Sequence, residues 1–313
     1  MPSGVYWLGC ANVELFHPMR PLNLFFYGAS GQLGQGFEKI FTSHQRRYKV
    51  TPMRVFLPET NIAQASHRLP EVILNAAAYT DVIGAELAPA QAMLVNGEEV
   101  ARLAALARQH DALLVHFSTD YVFDGTGNCP WRESDTPAPL NAYGQSKWAG
   151  ERAIIASGCR YLIIRTSWLH SPWRTNFLKT MLQLARDRDE LQVVCNQVGA
   201  PTSAMMLAEV TLMAIDRVLA EPELGGLYHV VASGAVSWFD YARFIFSKAH
   251  ELGLIEKVPR LRPITSVDYG DVVNRPLNSR LDTQLFSQRF GVNLPDWRVG
   301  VSATLQALCE EQR

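Results

Sequence analysis

Leu22-Asn-Leu-Phe-Phe-Tyr27 is an apolar run that ends in Gly28-Ala-Ser30-Gly31-Gln32-Leu33-Gly34, after which Phe37, Ile40 and Phe41 recur at helical spacing. No other stretch constrains the fold as tightly. A strand covered on both faces reads as continuous apolar sequence, and apolar residues three and four apart mark one face of a helix. A strand, a glycine turn and a helix in that order open a doubly wound parallel sheet. There the glycines let the backbone approach a diphosphate, and the free N–H groups of the helix N-terminus face it. The spacing is G-x-x-G-x-x-G rather than G-x-G-x-x-G, so the flanking strand and helix carry the dinucleotide reading.

The first half keeps this rhythm. Tyr48 to Arg54, Val72 to Asn75, Ala112 to Phe117 and Tyr161 to Arg165 read as strands. Pro89 opens a helix whose apolar side is Val95, Val100, Leu103, Ala104 and Leu106. Strands alternating with helices predict an α/β fold, a Rossmann-like doubly wound parallel sheet. After Trp168 the pattern loosens. Helices are expected through Phe177, Met181, Leu182 and Ala185, from Ala204 to Leu219, after a Ser237 cap, and after Asp296; strands are expected at Leu191 to Val194 and Leu227 to Val231. The expected division is an NAD(P)-binding Rossmann domain over 19–168, rejoined by segments from roughly 190–231, and a smaller, irregular α/β substrate domain mainly over 169–313. Residues 1–18 fit neither half and read as an extension: either Met19 is the working start or these residues are a disordered tail.

The chemistry concentrates between His116 and Lys147. An apolar strand turns polar at Ser118-Thr119-Asp120, and a Gly/Pro-rich loop leads into a helix carrying Tyr143 and Lys147. Four residues apart, these two share one helix face. A hydroxyl at the strand's carboxyl end can meet them across the crevice where open parallel sheets place ligands. An ammonium beside a phenol favours the phenolate and makes its proton easier to give up. Thr119, Tyr143 and Lys147 are therefore the expected proton-handling group. Small residues at Ala76, Ala77 and Ala78, followed by Thr80, leave room for a flat ring system. An acid at the end of the second strand would bind a ribose 2′-hydroxyl; the chain has Arg54 there, with Arg46 and Arg47 nearby. That favours a 2′-phosphate and hence NADPH, with NADH as the alternative.

Composition narrows the classes. With 313 residues, 48% hydrophobic and 19% charged, and a formal net charge of −1, nothing argues for nucleic acid or an anionic membrane. Five scattered cysteines without C-x-x-C read as thiols of a cytoplasmic protein. Eight histidines without ligand spacing give no metal site.

Taken together, G-A-S-G-Q-L-G at 28–34, N-A-A-A-Y-T at 75–80, S-T-D-Y-V-F-D-G at 118–125 and P-L-N-A-Y-G-Q-S-K at 139–147 resemble the extended short-chain dehydrogenase/reductases. R-T-S-W at 165–168, N-F-L-K-T-M at 176–181, G-A-P-T at 199–202, G-L-Y-H at 226–229, R-P-L-N-S-R-L at 275–281 and L-P-D-W at 294–297 narrow the resemblance to the branch that reduces dTDP-linked 4-keto-6-deoxy sugars. The resemblance implies NAD(P)H-dependent reduction of the C4 ketone of dTDP-4-dehydro-L-rhamnose. It implies that Tyr143 donates the proton, that Lys147 holds the nicotinamide ribose and lowers the tyrosine pKa, and that Thr119 bonds the carbonyl oxygen. It adds Asn61 and Ile62 to the cofactor contacts, and Val82, Asp120, Tyr121, Trp168, Asn176, Arg275 and Arg280 to those of the nucleotide-sugar substrate. The chain departs from the family at Asp81-Val-Ile-Gly-Ala-Glu86, where A-V-D-K-A-E is usual. Gly36 and Met205 stand where some members carry glutamates that bridge a dimer through magnesium, so a monomer or a homodimer without that bridge is expected. Two rival readings share the fold: a reductase or epimerase of another nucleotide-linked keto sugar, and a non-catalytic regulatory subunit of the methionine adenosyltransferase type.

Overall fold

Leu24 and Phe26 face one side of a sheet while Phe25 and Tyr27 face the other, and all four are buried. This is why the run carries no polar alternation: both faces of the strand are covered. The structure is a computed structural model describing residues 21–43, 47–53 and 69–311; the expectations for residues 1–18, Met19, Arg46, Arg54, Asn61 and Ile62 lie outside the described residues.

Strand β1 (Leu22–Tyr27) leads into α1 (Gln32–Ser43), β2 (Tyr48–Met53) and β3 (Val72–Asn75). Helices α2 (Val82–Leu87) and α3 (Pro89–Met93) follow, then a π turn (Leu94–Glu98) that runs into α4 (Glu99–Gln109). Strand β4 (Leu113–Thr119), helix α5 (Ala142–Ser157) and strand β5 (Arg160–Thr166) complete the first half. The second half contains β6 (Leu169–His170), α6 (Phe177–Asp187), β7 (Glu190–Val194), β8 (Val198–Gly199), β9 (Thr202–Ser203), α7 (Ala204–Ala220) and β10 (Gly226–His229). It ends with β11 (Val236–Ser237), α8 (Trp238–Glu251), β12 (Arg260–Ile264), α9 (Ser266–Tyr269), α10 (Gln284–Phe290) and α11 (Trp297–Glu311).

Six strands form one parallel sheet in the order β2-β1-β3-β4-β5-β10. The chain moves from β1 outward to β2 and then returns to the other side of β1 at β3. The switch point therefore lies between the carboxyl ends of β1 and β3, where such sheets hold their ligands. On one face, Phe37 and Phe41 of α1 meet Phe26 edge-on at 5.8 and 5.6 Å, and α7 covers the rest through Leu207, Val210 and Ile215. The opposite face is covered by α4 and α5 through Val100, Leu103, Ala107 and Ile154.

Beyond the sheet, β7 pairs with β12, β8 with β11 and β6 with β9. These short ladders fasten α6, α8 and α11 around Tyr241 and Trp297, whose rings cross at 5.8 Å. One apolar cluster runs without a break from Phe26 and Phe37 to Tyr241 and Trp297, so the two halves share their core. No helix among the described residues is long and apolar enough to cross a membrane.

Candidate active site

The glycine turn is built on contacts that only glycine permits. Gly28 has φ of +86°, and a Cβ there would lie 2.4 Å from the Ala77 nitrogen; on Gly34 it would lie 2.0 Å from the Gly28 oxygen. The turn closes through Gly31 N–H to Gly28 O at 3.0 Å. Its outer side is laced to the segment before α6. Gln32 Oε1 accepts from Ser171 Oγ (3.0 Å) and from Asn176 Nδ2 (2.9 Å), and Ser30 O accepts from Arg174 Nε (2.7 Å).

From this turn a cleft of about 1040 Å³ crosses the carboxyl edge of the sheet. One wall is Gly28 to Leu33 with Ala76, Ala77 and Ala78; the other is Phe117 to Tyr121, Tyr143 and Lys147, with Trp168 and Trp238 at the end. Thr80 and Val82 also line the cleft. The cleft thus gathers Gly28, Ser30, Gly31, Gln32, Leu33, the three alanines, Thr80, Val82, Thr119, Asp120, Tyr121, Tyr143, Lys147 and Trp168. Gly34 packs beneath the turn and does not line it.

Helix α5 is placed by its own first turn. Asn141 caps it, accepting from Gly144 N–H at 2.8 Å. Gly144 then sits so close to the Tyr121 carbonyl that a Cβ would come within 2.2 Å of it. This contact brings the rings of Tyr121 and Tyr143 edge to face at 5.7 Å. The Tyr143 and Thr119 side chains line the same stretch of the cleft, and Thr119 Oγ1 donates to Asp120 Oδ1 at 3.1 Å and accepts from Tyr121 N–H at 3.2 Å.

Electrostatics here follow burial. The Asp120 carboxyl is pushed up to about 6 by loss of solvent, against the hydrogen bonds from Ser279 and Thr119. Burial brings the Lys147 ammonium down to about 8, with Glu151 pulling it partly back. Lys147 Nζ donates to the Phe117 carbonyl at 2.5 Å. The expected lowering of Tyr143 by Lys147 does not dominate: burial raises the phenol, Asp120 raises it further, and the opposing influence is the Thr119 side chain. Glu151 is only half available to Lys147, because Arg165 grips both its oxygens at 2.8 and 2.6 Å.

Several expected contacts are used elsewhere. Asn176 caps α6 and gives its amide to Gln32 and Ser171, so it braces the glycine turn. Arg275 is ion-paired with Asp271 and donates to the Tyr121 hydroxyl at 3.3 Å; it stands behind the cleft wall. Arg280 donates to Asn278 Oδ1 at 2.9 Å and also lies outside the lining. Arg47 is paired with Asp216 of α7.

Other residues of the site are not apparent from sequence. Asn96, in the π turn, bonds Tyr79 N–H and C=O (2.9 and 3.0 Å) and Ser146 Oγ (2.9 Å), which ties the loop after β3 to α5. Glu86 of the unusual Asp81–Glu86 stretch accepts from Ala142 N–H at 2.6 Å, fixing the start of α5. Trp238 stacks on Trp168 at 3.5 Å with 9° between the planes, covering one face of the expected sugar-reading ring. A π turn has no local sequence signature, and Trp238 has the pattern of a core position. The glycines at 144 and 150 are the local hints that other backbone approaches α5 closely.

Sheet and cleft together define a Rossmann-fold oxidoreductase of the short-chain dehydrogenase/reductase type. The family model described as RmlD substrate binding domain matches residues 22–310, and the chain belongs to that family. The dTDP-4-dehydrorhamnose reductase of Escherichia coli strain K12 is 40% identical over 297 residues, 92% of this chain and 98% of that protein. The dTDP-4-dehydrorhamnose reductase of Salmonella typhimurium strain LT2 is 39% identical over 294 residues, 91% and 97% of the two chains. A crystal structure of the Bacillus anthracis strain Ames dTDP-4-dehydrorhamnose reductase in complex with NADP superposes with a TM-score of 0.82 at 30% identity, covering 92% of this chain and 99% of that one.

Proposed function

We propose that the chain reduces the C4 ketone of dTDP-4-dehydro-L-rhamnose to dTDP-L-rhamnose with NADPH, the last step of dTDP-rhamnose synthesis. The observation that carries this reading is that one cleft is lined by Thr119, Tyr143 and Lys147 and by the glycine turn at Gly28 to Leu33. The lining fits a dinucleotide: Gly28 to Leu33 bring backbone to the cleft at the N-terminus of α1, where a diphosphate would sit, Gly34 lets the turn pack on itself, and Ala76 to Ala78 add small side chains beside it. The related NADP complex supports NADPH as the cofactor, with NADH the alternative.

Bound NADPH supplies the hydride that reaches the sugar carbon. Charge then develops on the ketone oxygen. Thr119 and Tyr143 offer hydroxyls to that oxygen, and Tyr143 gives up its proton to it. Lys147, one turn along α5, steadies the phenolate left behind. In the free site the Thr119 hydroxyl donates to Asp120 Oδ1, so it turns from that carboxyl to the ketone oxygen when substrate is bound. Val82, Tyr121 and Trp168, which line the same cleft, are assigned to the sugar and its nucleotide.

We read residues 19–168 with β10 as the cofactor half and most of 169–313 as the sugar half. Gly36 is used inside the chain, where a Cβ would come 3.0 Å from Ala204 O; this supports a monomer or a dimer without a bridging metal. Cys129, Cys159, Cys195 and Cys309 are free thiols, which supports a cytoplasmic setting.

Incubating the protein with NADPH and a panel of nucleotide-linked 4-keto sugars tests the reading. Fastest NADPH consumption with dTDP-4-dehydro-L-rhamnose supports it. Faster turnover of another sugar would reassign the substrate, and no turnover of any would favour a binding role.

A further inference from the structure

Beneath the cleft, on the far side of Lys147, lies a buried polar chain that takes no direct part in the reduction. His116 of β4 is fully buried, and Asn75 of the neighbouring β3 is 3% exposed. Asn75 Oδ1 accepts from the Ala77 N–H at 3.1 Å. A backbone N–H can only donate, so the amide's orientation is fixed and its NH₂ faces His116 Nδ1, 3.1 Å away. Nδ1 must then accept. A neutral imidazole that accepts at Nδ1 carries its proton on Nε2, and Nε2 lies 3.4 Å from Lys147 Nζ.

We propose that Asn75 and His116 set the protonation of Lys147 by presenting it with an N–H donor, which makes His116 a positioning residue for the reduction. The proposal rests on the reductase reading, in which the Lys147 ammonium steadies the Tyr143 phenolate. As an ammonium, Lys147 has one close acceptor among the described residues, the Phe117 carbonyl at 2.5 Å, and meets another donor at His116. As an amine, it satisfies both neighbours at once: it donates to Phe117 O and accepts Nε2–H. The pair thus favours the amine and sets the alkaline end of the pH range over which Lys147 carries the charge that steadies the phenolate.

The other charges around this group do not cancel that bias. From its own helix, Tyr143 is a neutral phenol and Glu151 is the facing anion, but Glu151 is held bidentately by Arg165 of β5. From β4, only His116 and the Phe117 carbonyl contact Nζ. Burial itself also disfavours the ammonium, and the Lys147 charge in turn keeps His116 neutral.

The test changes one donor atom. In Asn75→Asp an oxygen replaces the NH₂, so the carboxylate must take the proton side of His116 Nδ1 and turn Nε2 into an acceptor for Lys147. In the wild-type protein, ¹⁵N NMR of labelled histidine should show His116 as the Nε2–H tautomer; the Nδ1–H tautomer there would overturn the proposal. In Asn75→Asp the tautomer should switch, and the Lys147 titration followed by its ¹³Cε shift should move up by roughly one pH unit or more. The alkaline limb of kcat should move with it. An Asn75→Asp variant in which neither tautomer nor titration moves would contradict the proposal, and a merely structural role would change stability without moving either. Both NMR readings are made without sugar. If the wild-type protein fails to turn over the sugar, the reductase reading falls while the tautomer result stands on its own.

Discussion

Gly144 rests against the carbonyl of Tyr121 with no room for a side chain: a Cβ would stand 2.2 Å from that oxygen. The contact sets how deep the first turn of α5 sits and therefore where Tyr143 meets Thr119. Gly144→Ala must push the helix start outward. We expect a stability loss of about 1–3 kcal/mol from overpacking and a kcat at least about tenfold lower, since small misplacements of a proton donor are costly. Thermal melts and steady-state kinetics measure the two; unchanged kcat would show that Tyr143 is placed by other contacts.

Tyr143→Phe keeps the ring and its packing on Tyr121 while removing the proton. We expect kcat to fall by roughly two to four orders of magnitude. Titration of the variant with NADPH should show binding close to that of the unchanged protein. Near-normal turnover would remove Tyr143 from its assigned role.

Lys147 gives a stability signature with a defined sign. Its folded pKa, about 8, lies below the ordinary lysine value of 10.5. Between these values the unfolded chain binds the extra proton, so stability rises with pH there. Above about pH 10 the buried tyrosines Tyr143 and Tyr241, which titrate at 10.0 once unfolded, reverse the slope. Denaturant unfolding from pH 8 towards 10 should therefore show increasing stability, by at most about 1.4 kcal/mol per pH unit. In Lys147→Met that rise should vanish, together with turnover. A rise that persists in the variant would assign it to another group.

Arg165 and Glu151 form a bidentate pair that is almost fully buried, with side-chain exposures of 3% and 2%. Arg165→Met strands a buried carboxylate and should cost about 3–5 kcal/mol. The double variant Arg165→Met/Glu151→Met should recover much of that loss, because no lone charge remains. Chemical denaturation of the single and double variants decides it; a double variant no more stable than Arg165→Met would mean the pair matters through packing instead.

Much of this arrangement is legible in the amino-acid sequence. Leu22 to Tyr27 and Val72 to Asn75 are continuous apolar runs because both sheet faces are covered, so their strands follow directly from composition. The glycine turn is readable from its neighbours, and Tyr143 and Lys147 from their spacing. What is not legible depends on pairings far apart in the chain. Asn96 reaches Ser146 across 50 residues, Asn75 reaches His116 across 41, and Arg275 reaches Tyr121 across 154. No local period records such meetings. The internal partners of Asn176, Arg275 and Arg280 are hidden in the same way: a polar side chain in a loop shows no such partner in its local sequence. The short helix α2 escapes notice because Val82–Leu87 holds Gly84 and leans on a cap, Asp81 accepting from Gly84 N–H at 2.9 Å.

The most direct measurement is the fate of the transferred hydrogen. NADPH deuterated at the transferring C4 position, incubated with the protein and dTDP-4-dehydro-L-rhamnose, should yield dTDP-L-rhamnose carrying one deuterium at sugar C4, as read by NMR and mass. Recovery of unreduced sugar, or of deuterium at another carbon, would contradict the assignment of this cleft as a C4-ketone reductase.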